Sequence, residues 1–221
     1  MNSRDAVLQR IRASLKADAD NPVRAVTVAR RLRTHPVGVL PEPTDPQINA
    51  INRFRRKAEA AFATVSVVAR RNVANAVQAF LREHNLPQRL RTGDDKRLQR
   101  IKWPEPGGPE LLTGRAETQD VVGLSYAFAA ASETGTLFMV SGTANPTTIN
   151  FLPENHIVLV DARDIETHYE TIWTRIRKAY GETVMPRTVN LITGPSRSAD
   201  IEQTLILGAH GPVRLHVIVV K

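Results

Sequence analysis

Apolar residues recur at helical spacing through the first half of the chain. Residues 3–17 place four apolar side chains on one face, which predicts a short amphipathic helix. Residues 34–46 hold four prolines and are predicted to be an irregular strap, because proline lacks an N–H and restricts the residue before it. Helical spacing over residues 47–63 and 72–84 predicts two further helices. Residues 1–46 are therefore expected to form an N-terminal helical arm and a proline-rich strap.

The body of the chain alternates between apolar runs and amphipathic segments. The runs predicted as strands are Thr64–Ala69, Asp120–Ala127, Gly135–Ser141, Ile157–Val160, Val189–Ile192 and Leu215–Val220. Helices are predicted from a cap at Asp164 to Gly181 and over residues 199–207. Residues 91–110 are polar and broken by proline and glycine, so they are expected to hold at most short elements. The alternation favours an α/β fold over residues 47–221, with a largely parallel sheet flanked by helices.

The 221 residues include no cysteine. This excludes disulfides, thiolate metal sites, cysteine nucleophiles and iron–sulfur clusters ligated by cysteines of this chain. The six histidines are scattered without an HxH or HExxH motif, so no metal site is predicted. No apolar run approaches the ~18–20 residues that span a bilayer, and the first residues lack the apolar core of a secretion signal. We therefore expect a cytoplasmic protein without a membrane span.

Positive charge is concentrated in the first half of the chain. The formal net charge is +8, yet residues 1–110 hold 21 basic and 11 acidic residues, whereas residues 111–221 hold 9 and 11. Nucleic-acid-binding proteins commonly combine such charges with stacking aromatics, but aromatics make up only 5% of this chain and no nucleic-acid-binding motif is present. A nucleic-acid partner is therefore not expected. A solvated face or a protein-docking surface is the preferred interpretation.

A carboxylate stands between an alanine-rich segment and an apolar strand. Such surroundings can desolvate it, so Glu133 is a candidate nucleophile or general base. Thr134, Gly135 and Thr136 can supply hydroxyl and N–H groups to a bound ligand. The alternative is that Glu133 caps an element or pairs with an arginine, and from the residues alone this alternative is favoured.

A second candidate site follows a predicted strand and precedes a predicted helix. Ligands of open α/β sheets bind outside the carboxyl ends of strands, a helix start attracts anions, and an arginine suits a carboxylate or phosphate. Two acidic residues in the expected first helical turn oppose an anion, so a capped strand-to-helix turn is an equally good interpretation. The candidate binding residues are Gly194, Pro195, Ser196, Arg197, Asp200 and Glu202.

Two further segments carry polar groups in turns. His210 and Gly211 lie in a tight turn, where His210 is a candidate proton shuttle or ligand, or else a loop histidine that hydrogen-bonds to backbone. Ser141–Asn150 offers hydroxyl and amide side chains that either line a polar pocket or form ordinary turns. Neither segment decides between these alternatives by itself.

Three segments of the second half together resemble one known family. They are ASETGT at residues 131–136, TGPSRSADIEQTLILGAHGP at residues 193–212, and the closing RLHVIVV. On these segments, roughly residues 115–221 are similar to the LutC/YkgG family of lactate-utilization proteins, which carry the LUD domain. The first half is similar only in layout. Ser198 stands where the family is expected to have threonine, a change that keeps the hydroxyl.

The resemblance implies a fold similar to that of ribose-5-phosphate isomerase and the CoA-transferases. It also implies a role in oxidising L-lactate to pyruvate, as one component of a three-protein system whose other two members carry the iron–sulfur clusters. Those iron–sulfur proteins are the expected partners, and any cofactor of this chain is bound without cysteine. The positions that match the family signature are Glu133, Gly135, Gly194, Pro195, Ser196, Asp200, Glu202, His210 and Gly211.

Three functional hypotheses follow. In the favoured one, the chain is a subunit of a lactate-oxidising assembly: Glu133 is a base or polariser, Arg197 holds a small carboxylate or other anion, and the amides of Gly194–Ser196 contact it. The second is a stand-alone CoA-transferase-like or isomerase-like enzyme with Glu133 as nucleophile. The third is a non-catalytic docking or regulatory module whose basic face binds an acidic protein or RNA. The favoured hypothesis expects the Ser132–Thr136 and Gly194–Glu202 segments to meet at one end of the sheet.

Overall fold

The chain is divided by its contacts into two units, Met1–Pro41 and Glu42–Lys221. The computed structural model describes residues 3–16, 21–42, 45, 47–181, 184–199, 205–208 and 210–221. The first unit contains the helices α1 (Ser3–Ser14) and α2 (Pro22–Thr34). The first of these confirms the predicted amphipathic helix.

Helix α2 is an element that the sequence analysis missed, although the signal for its start is present. The Asn21 side chain accepts hydrogen bonds from two N–H groups of the first turn, and Pro22 occupies the first helical position, where its missing N–H costs nothing. His35 ends the helix in a left-handed conformation. Residues 36–42 have neither helix nor strand, as the prolines predict.

The second unit is built around a six-stranded sheet. The strands of this unit are β1 (Thr64–Val68), β2 (Arg89–Thr92), β3 (Glu110–Thr113), β4 (Val122–Tyr126), β5 (Ala129–Ala131), β6 (Thr136–Val140), β7 (Asn155–Asp161), β8 (Ile165–Glu166), β9 (Val189–Ile192), β10 (Arg197–Ala199), β11 (Leu205–Leu207) and β12 (Arg214–Val220). Its helices are α3 (Ala50–Ala60), α4 (Val73–Glu83), α5 (Lys96–Gln99) and α6 (Tyr169–Tyr180). The main sheet has the order β1-β12-β7-β4-β2-β3, and all its neighbouring strands are parallel. This confirms the predicted α/β fold with a largely parallel sheet flanked by helices.

The central strands β7 and β12 carry apolar side chains on both faces. Phe54 of α3 belongs to the same buried cluster as Val217 of β12. Leu81 of α4 belongs to a second cluster with Ile218, the next residue of that strand. Successive residues of a strand point to opposite faces, so a strand covered on both sides needs a continuous apolar run. This requirement explains why these strands could be recognised from the sequence.

Two predictions for the last third of the chain are wrong. Strand β9 does not join the main sheet: it pairs antiparallel with β6 in a four-stranded sheet of order β8-β5-β6-β9. The helix predicted over residues 199–207 is also absent where the chain is described, because Ala199 ends β10 and Leu205–Leu207 forms β11, antiparallel to it. A short apolar run such as Leu205–Leu207 fits either element, and its period cannot separate them.

Helix α6 starts later than predicted. Its N-cap residue is His168, whereas Asp164 lies in a preceding 3-10 turn and accepts a hydrogen bond from Arg175 at 2.6 Å. Asp164 therefore anchors the helix from the side and does not cap it. Residues 91–110 hold the end of β2, the short helix α5 and the start of β3, which confirms the expectation of short elements only.

Candidate functional site

A cavity of about 260 Å³ brings together three of the segments that the sequence analysis singled out. Gly194–Arg197 forms one wall, His210 and Gly211 form another, and Asn150 reaches it from the end of the Ser141–Asn150 segment. These groups are far apart in the chain, and the turns after β9 and β11 bring them to one place. Asp200 and Glu202, also predicted here, lie outside the described residues.

The cavity lies at the amino edge of the main sheet. His156 and Leu215, the second residues of β7 and β12, line it. From the sequence, Gly194 is predicted to follow the carboxyl end of a strand of the parallel sheet. Because β9 belongs to the antiparallel sheet, its carboxyl end instead meets the amino ends of β7 and β12.

Backbone contacts hold the walls of the cavity in place. Gly194 has a φ of +74°, and a Cβ there would lie 1.9 Å from the carbonyl oxygen of Ala61, so the turn accepts only glycine. The N–H of Ser196 donates to the carbonyl of Pro212 at 2.9 Å, and its carbonyl accepts from the N–H of Gly208 at 2.9 Å. Ser196 therefore joins the two turns through its backbone.

Asn150 is the most unusual polar group in the cavity. Its side chain is 1% exposed, and neither Oδ1 nor Nδ2 has a hydrogen-bond partner. Leaving a buried amide unpaired costs roughly 1–3 kcal/mol for each unpaired group, so such groups are rare unless a ligand or water pairs with them. An amide offers both a donor and an acceptor, which matches a ligand that carries a carboxylate and a hydroxyl.

His156 adds a neutral imidazole to the same cavity. Burial lowers the pKa of His156 to about 3, so the ring is uncharged near neutral pH. Its Nε2 lies 2.9 Å from Oγ of Ser125, which fixes the orientation of the ring. The sequence analysis missed His156, whose only signal is a polar residue at the start of an apolar run.

Two further side chains, a guanidinium and an imidazole, lie at the cavity. Arg197 lies with its guanidinium 5.0 Å from the ring centre of Phe62, and His210 is exposed at the rim. Among the described residues, neither side chain has an ion-pair partner. The local potential therefore suits a small carboxylate or phosphate.

Glu133 lies away from this cavity. Its Oε2 accepts a hydrogen bond from Nδ1 of His168 at 3.0 Å, and its Oε1 accepts one from the N–H of Tyr169 at 2.9 Å. The carboxylate thus caps the first turn of α6. The arrangement corresponds to the alternative in which Glu133 caps an element.

Hydroxyl groups link the Glu133 segment to the cavity. Oγ1 of Thr136 lies 2.6 Å from the hydroxyl of Tyr169 and 2.6 Å from Oγ1 of Thr193, and Thr193 lines the cavity. Thr134 joins the same cluster, with its Oγ1 2.7 Å from that of Thr136. The two predicted segments are therefore connected through Thr136, although the carboxylate of Glu133 does not line the cavity.

Gly135 has a packing role. Its φ is +75°, and a Cβ would lie 2.4 Å from the backbone nitrogen of Ala58 in α3. The glycine lets helix α3 approach the turn between β5 and β6 closely. Within the Ser141–Asn150 segment, Ser141 accepts a hydrogen bond from the N–H of Thr188 at 2.9 Å, which is turn chemistry.

Every helix in the part of the chain that the structure describes is too short or too polar to cross a lipid bilayer. In the same residues, no three histidine, aspartate or glutamate side chains cluster as a metal site requires.

Comparison with known proteins finds one family. The family model described as the LUD domain matches residues 50–220. Curated relatives include lactate utilization protein C of Halalkalibacterium halodurans, 32% identical over 120 residues, which are 54% of this chain and 51% of that protein. Lactate utilization protein C of Bacillus subtilis is 35% identical over 137 residues, or 57% of this chain and 56% of that protein. The chain thus spans about half the length of the curated relatives it matches.

A solved structure shows the same fold. It is the crystal structure of a DUF162 family protein from Deinococcus radiodurans, with a TM-score of 0.53 and 20% sequence identity. The similarity covers 78% of this chain and 96% of that one. At this identity the comparison supports the architecture and carries no information on activity.

Proposed function

This chain belongs to the LUD domain family, and from that membership we propose that it serves in the oxidation of L-lactate to pyruvate. Its matched relatives are named lactate utilization protein C. The observation that carries the proposal within the structure is the unpaired, buried amide of Asn150 in a small cavity. We assign this cavity to the carboxylate substrate.

The size and chemistry of the cavity fit a three-carbon hydroxy acid. A volume of about 260 Å³ is large enough for lactate or pyruvate. Arg197 would attract the carboxylate, and the Asn150 amide would pair with the substrate hydroxyl or carboxylate. His210, an imidazole at the rim, is the candidate proton acceptor.

Electrons from lactate must leave this chain. Oxidation of lactate to pyruvate releases two electrons and two protons, and the 221 residues contain no cysteine to ligate an iron–sulfur cluster. Iron–sulfur proteins of the lactate-utilization system are the proposed partners that accept these electrons. We place the reaction in the cytoplasm, with the three proteins acting as one system.

Acyl transfer through Glu133 is the less favoured alternative. Both oxygens of that carboxylate are engaged by His168 and the N–H of Tyr169, and the side chain lies outside the cavity. A nucleophile needs an accessible atom beside the substrate. The geometry therefore supports a capping role for Glu133 and a carboxylate site beside Asn150.

Gene deletion tests the proposed function. The gene is removed with its neighbours intact, and the strain is complemented with wild type, Asn150→Leu or Asn145→Leu. Asn145 is also buried but does not line the cavity, so it is a matched control. We expect loss of growth on L-lactate with growth on pyruvate retained, and rescue by wild type and Asn145→Leu only. Normal growth of the deletion strain on L-lactate would contradict the proposal.

A further inference from the structure

A second and larger cavity lies at the opposite edge of the main sheet. It has a volume of about 670 Å³, and Tyr126, Asp161 and Val220, the last residues of β4, β7 and β12, line it. This is the carboxyl edge of the parallel strands, where open α/β sheets bind their ligands. The cavity is distinct from the Asn150 site, which lies at the amino edge.

Positive charge dominates the second cavity. One carboxylate, Asp161, lines it together with six cationic side chains, which are Arg70, Arg71, Arg97, Arg100, Lys102 and Arg163. Asp161 pairs with Arg70 at 2.5 Å and with Arg163 at 3.9 Å, and Arg97 pairs with Asp95 at 2.7 Å. The remaining three cations have no ion-pair partner within the described part of the chain. The cavity therefore has an uncompensated positive potential.

The phenol of Tyr126 supplies a donor at the wall of the second cavity. Its hydroxyl is buried beside the carboxylate of Asp161 and the guanidinium of Arg70, and the guanidinium of Arg97 lies 3.8 Å from the centre of its ring. Burial, together with the nearby carboxylate of Asp161, raises the pKa of Tyr126 above its usual value, so it remains a neutral O–H donor. A phosphate group can accept a hydrogen bond from this phenol and, at the same time, contact the surrounding cations.

The remaining walls suit the other parts of a nucleotide. Val73 and Ala74, in the first turn of α4, line the cavity, and the N-cap residue Asn72 makes no side-chain capping bond. The positive end of the helix dipole therefore adds to the potential. Ile101, which is half-buried, provides an apolar surface on which a base can lie.

We propose that this cavity binds a nucleotide that carries at least two phosphates. The phosphates contact Arg71, Arg100 and Lys102, and the base lies against the apolar wall. A cavity of 670 Å³ is in the range of roughly 300–1,000 Å³ typical of sites for organic ligands, and lactate or pyruvate would leave most of it empty. The proposal does not depend on the lactate function, because it concerns a different edge of the sheet.

Calorimetric titration of the whole chain with ATP and NAD⁺ tests this assignment. Adenosine and inorganic tripolyphosphate are the probes that separate base from phosphate recognition. Arg71→Gln/Arg100→Gln removes two unpaired cations, and Arg82→Gln/Lys178→Gln removes the same charge at exposed positions away from the cavity. We expect ATP or NAD⁺ to bind with a Kd at least tenfold lower than the Kd of adenosine and the Kd of tripolyphosphate. The cavity double variant should weaken binding at least tenfold, and the control less than twofold.

Three results would overturn the assignment. The first is that neither nucleotide binds at millimolar concentration. The second is that tripolyphosphate binds as tightly as ATP, which would indicate a plain anion site. The third is an equal loss in the two double variants, which would indicate non-specific charge attraction. Tyr126→Phe gives an independent check, because removing the single hydroxyl should weaken nucleotide binding about threefold or more.

Discussion

The carboxylate of Glu133 accepts a hydrogen bond from Nδ1 of His168 at 3.0 Å, which joins the turn between β5 and β6 to the start of α6. The second oxygen of the same carboxylate accepts a bond from the N–H of Tyr169. His168 itself makes no side-chain capping bond, so Glu133 supplies the cap from another element. A negative group at a helix N-terminus is stabilising, and this one is also largely shielded from water.

Glu133→Gln should therefore lower stability and leave lactate-dependent growth intact. Loss of the charged acceptor is expected to reduce the free energy of unfolding by about 1 kcal/mol in urea titration. Glu170→Gln is the control, because it removes a negative charge from the same helical turn and leaves the bond between Glu133 and His168 in place. It should lower the free energy of unfolding by less than Glu133→Gln does. Unchanged stability combined with lost growth on lactate would instead indicate that Glu133 is catalytic.

Gly194→Ala should destabilise the fold strongly. The φ of +74° and the 1.9 Å approach to the Ala61 carbonyl leave no room for a methyl group, so a loss of about 3 kcal/mol or more is expected. At Gly142 a Cβ meets no atom within 4 Å, so Gly142→Ala should change the free energy of unfolding by less than about 0.5 kcal/mol. Equal effects of the two substitutions in urea titration would be inconsistent with this geometry.

Acid should destabilise the protein through two buried histidines. Burial lowers the pKa of His156 to about 3 and that of His216 to about 4. For His216, repulsion between its charged form and His84 adds to the effect of burial. An unfolded histidine titrates near pH 6.5, so below that pH the unfolded state binds protons that the folded state refuses. The stabilisation is complete above pH 6.5 and decreases towards pH 4, by up to about 1.4 kcal/mol per pH unit for each histidine.

Urea titrations at pH 7, 6 and 5 measure this dependence. His156→Gln should flatten the slope relative to wild type, because one of the two histidines is gone. His35→Asn is the control, since asparagine tolerates the left-handed conformation of His35. The same slope in wild type and His156→Gln would show that His156 does not contribute.

Asn150→Leu should separate stability from function. Leucine is of similar size and leaves no unpaired polar atom, so the free energy of unfolding is expected to stay the same or rise by about 1 kcal/mol. Lactate-dependent growth should be lost. A marked loss of stability, measured by urea titration, would mean that the Asn150 amide has a structural partner.

Much of the fold was predictable because the packing demands it. The run Ile157–Val160 is continuous because helices cover both faces of β7, and a parallel sheet follows from that. The antiparallel pairing of β10 with β11 was not predictable, because Leu205–Leu207 is too short for its period to select helix or strand. Pairing with β10 decides such a segment.

The candidate sites were predictable only in part. Gly194–Arg197 and His210 were recognised as candidates by their turn chemistry, but their convergence on Asn150 depends on tertiary structure. The basic residues were interpreted as a solvated or docking face. Arg71 and Arg163 come from halves of opposite net charge, and only the fold brings them to one cavity. Local spacing holds no information on such contacts.

Ligand-observed NMR with L-lactate tests the central claim most directly. When the resonances of the unmodified chain are saturated, the saturation should be transferred to bound L-lactate. Pyruvate should reduce this transfer by competing for the same site, and the neutral lactamide should show no transfer. Asn150→Leu should abolish the transfer, whereas Asn145→Leu should retain it. The claim is contradicted if the unmodified chain gives no transfer to lactate, or if Asn150→Leu gives the same transfer as wild type.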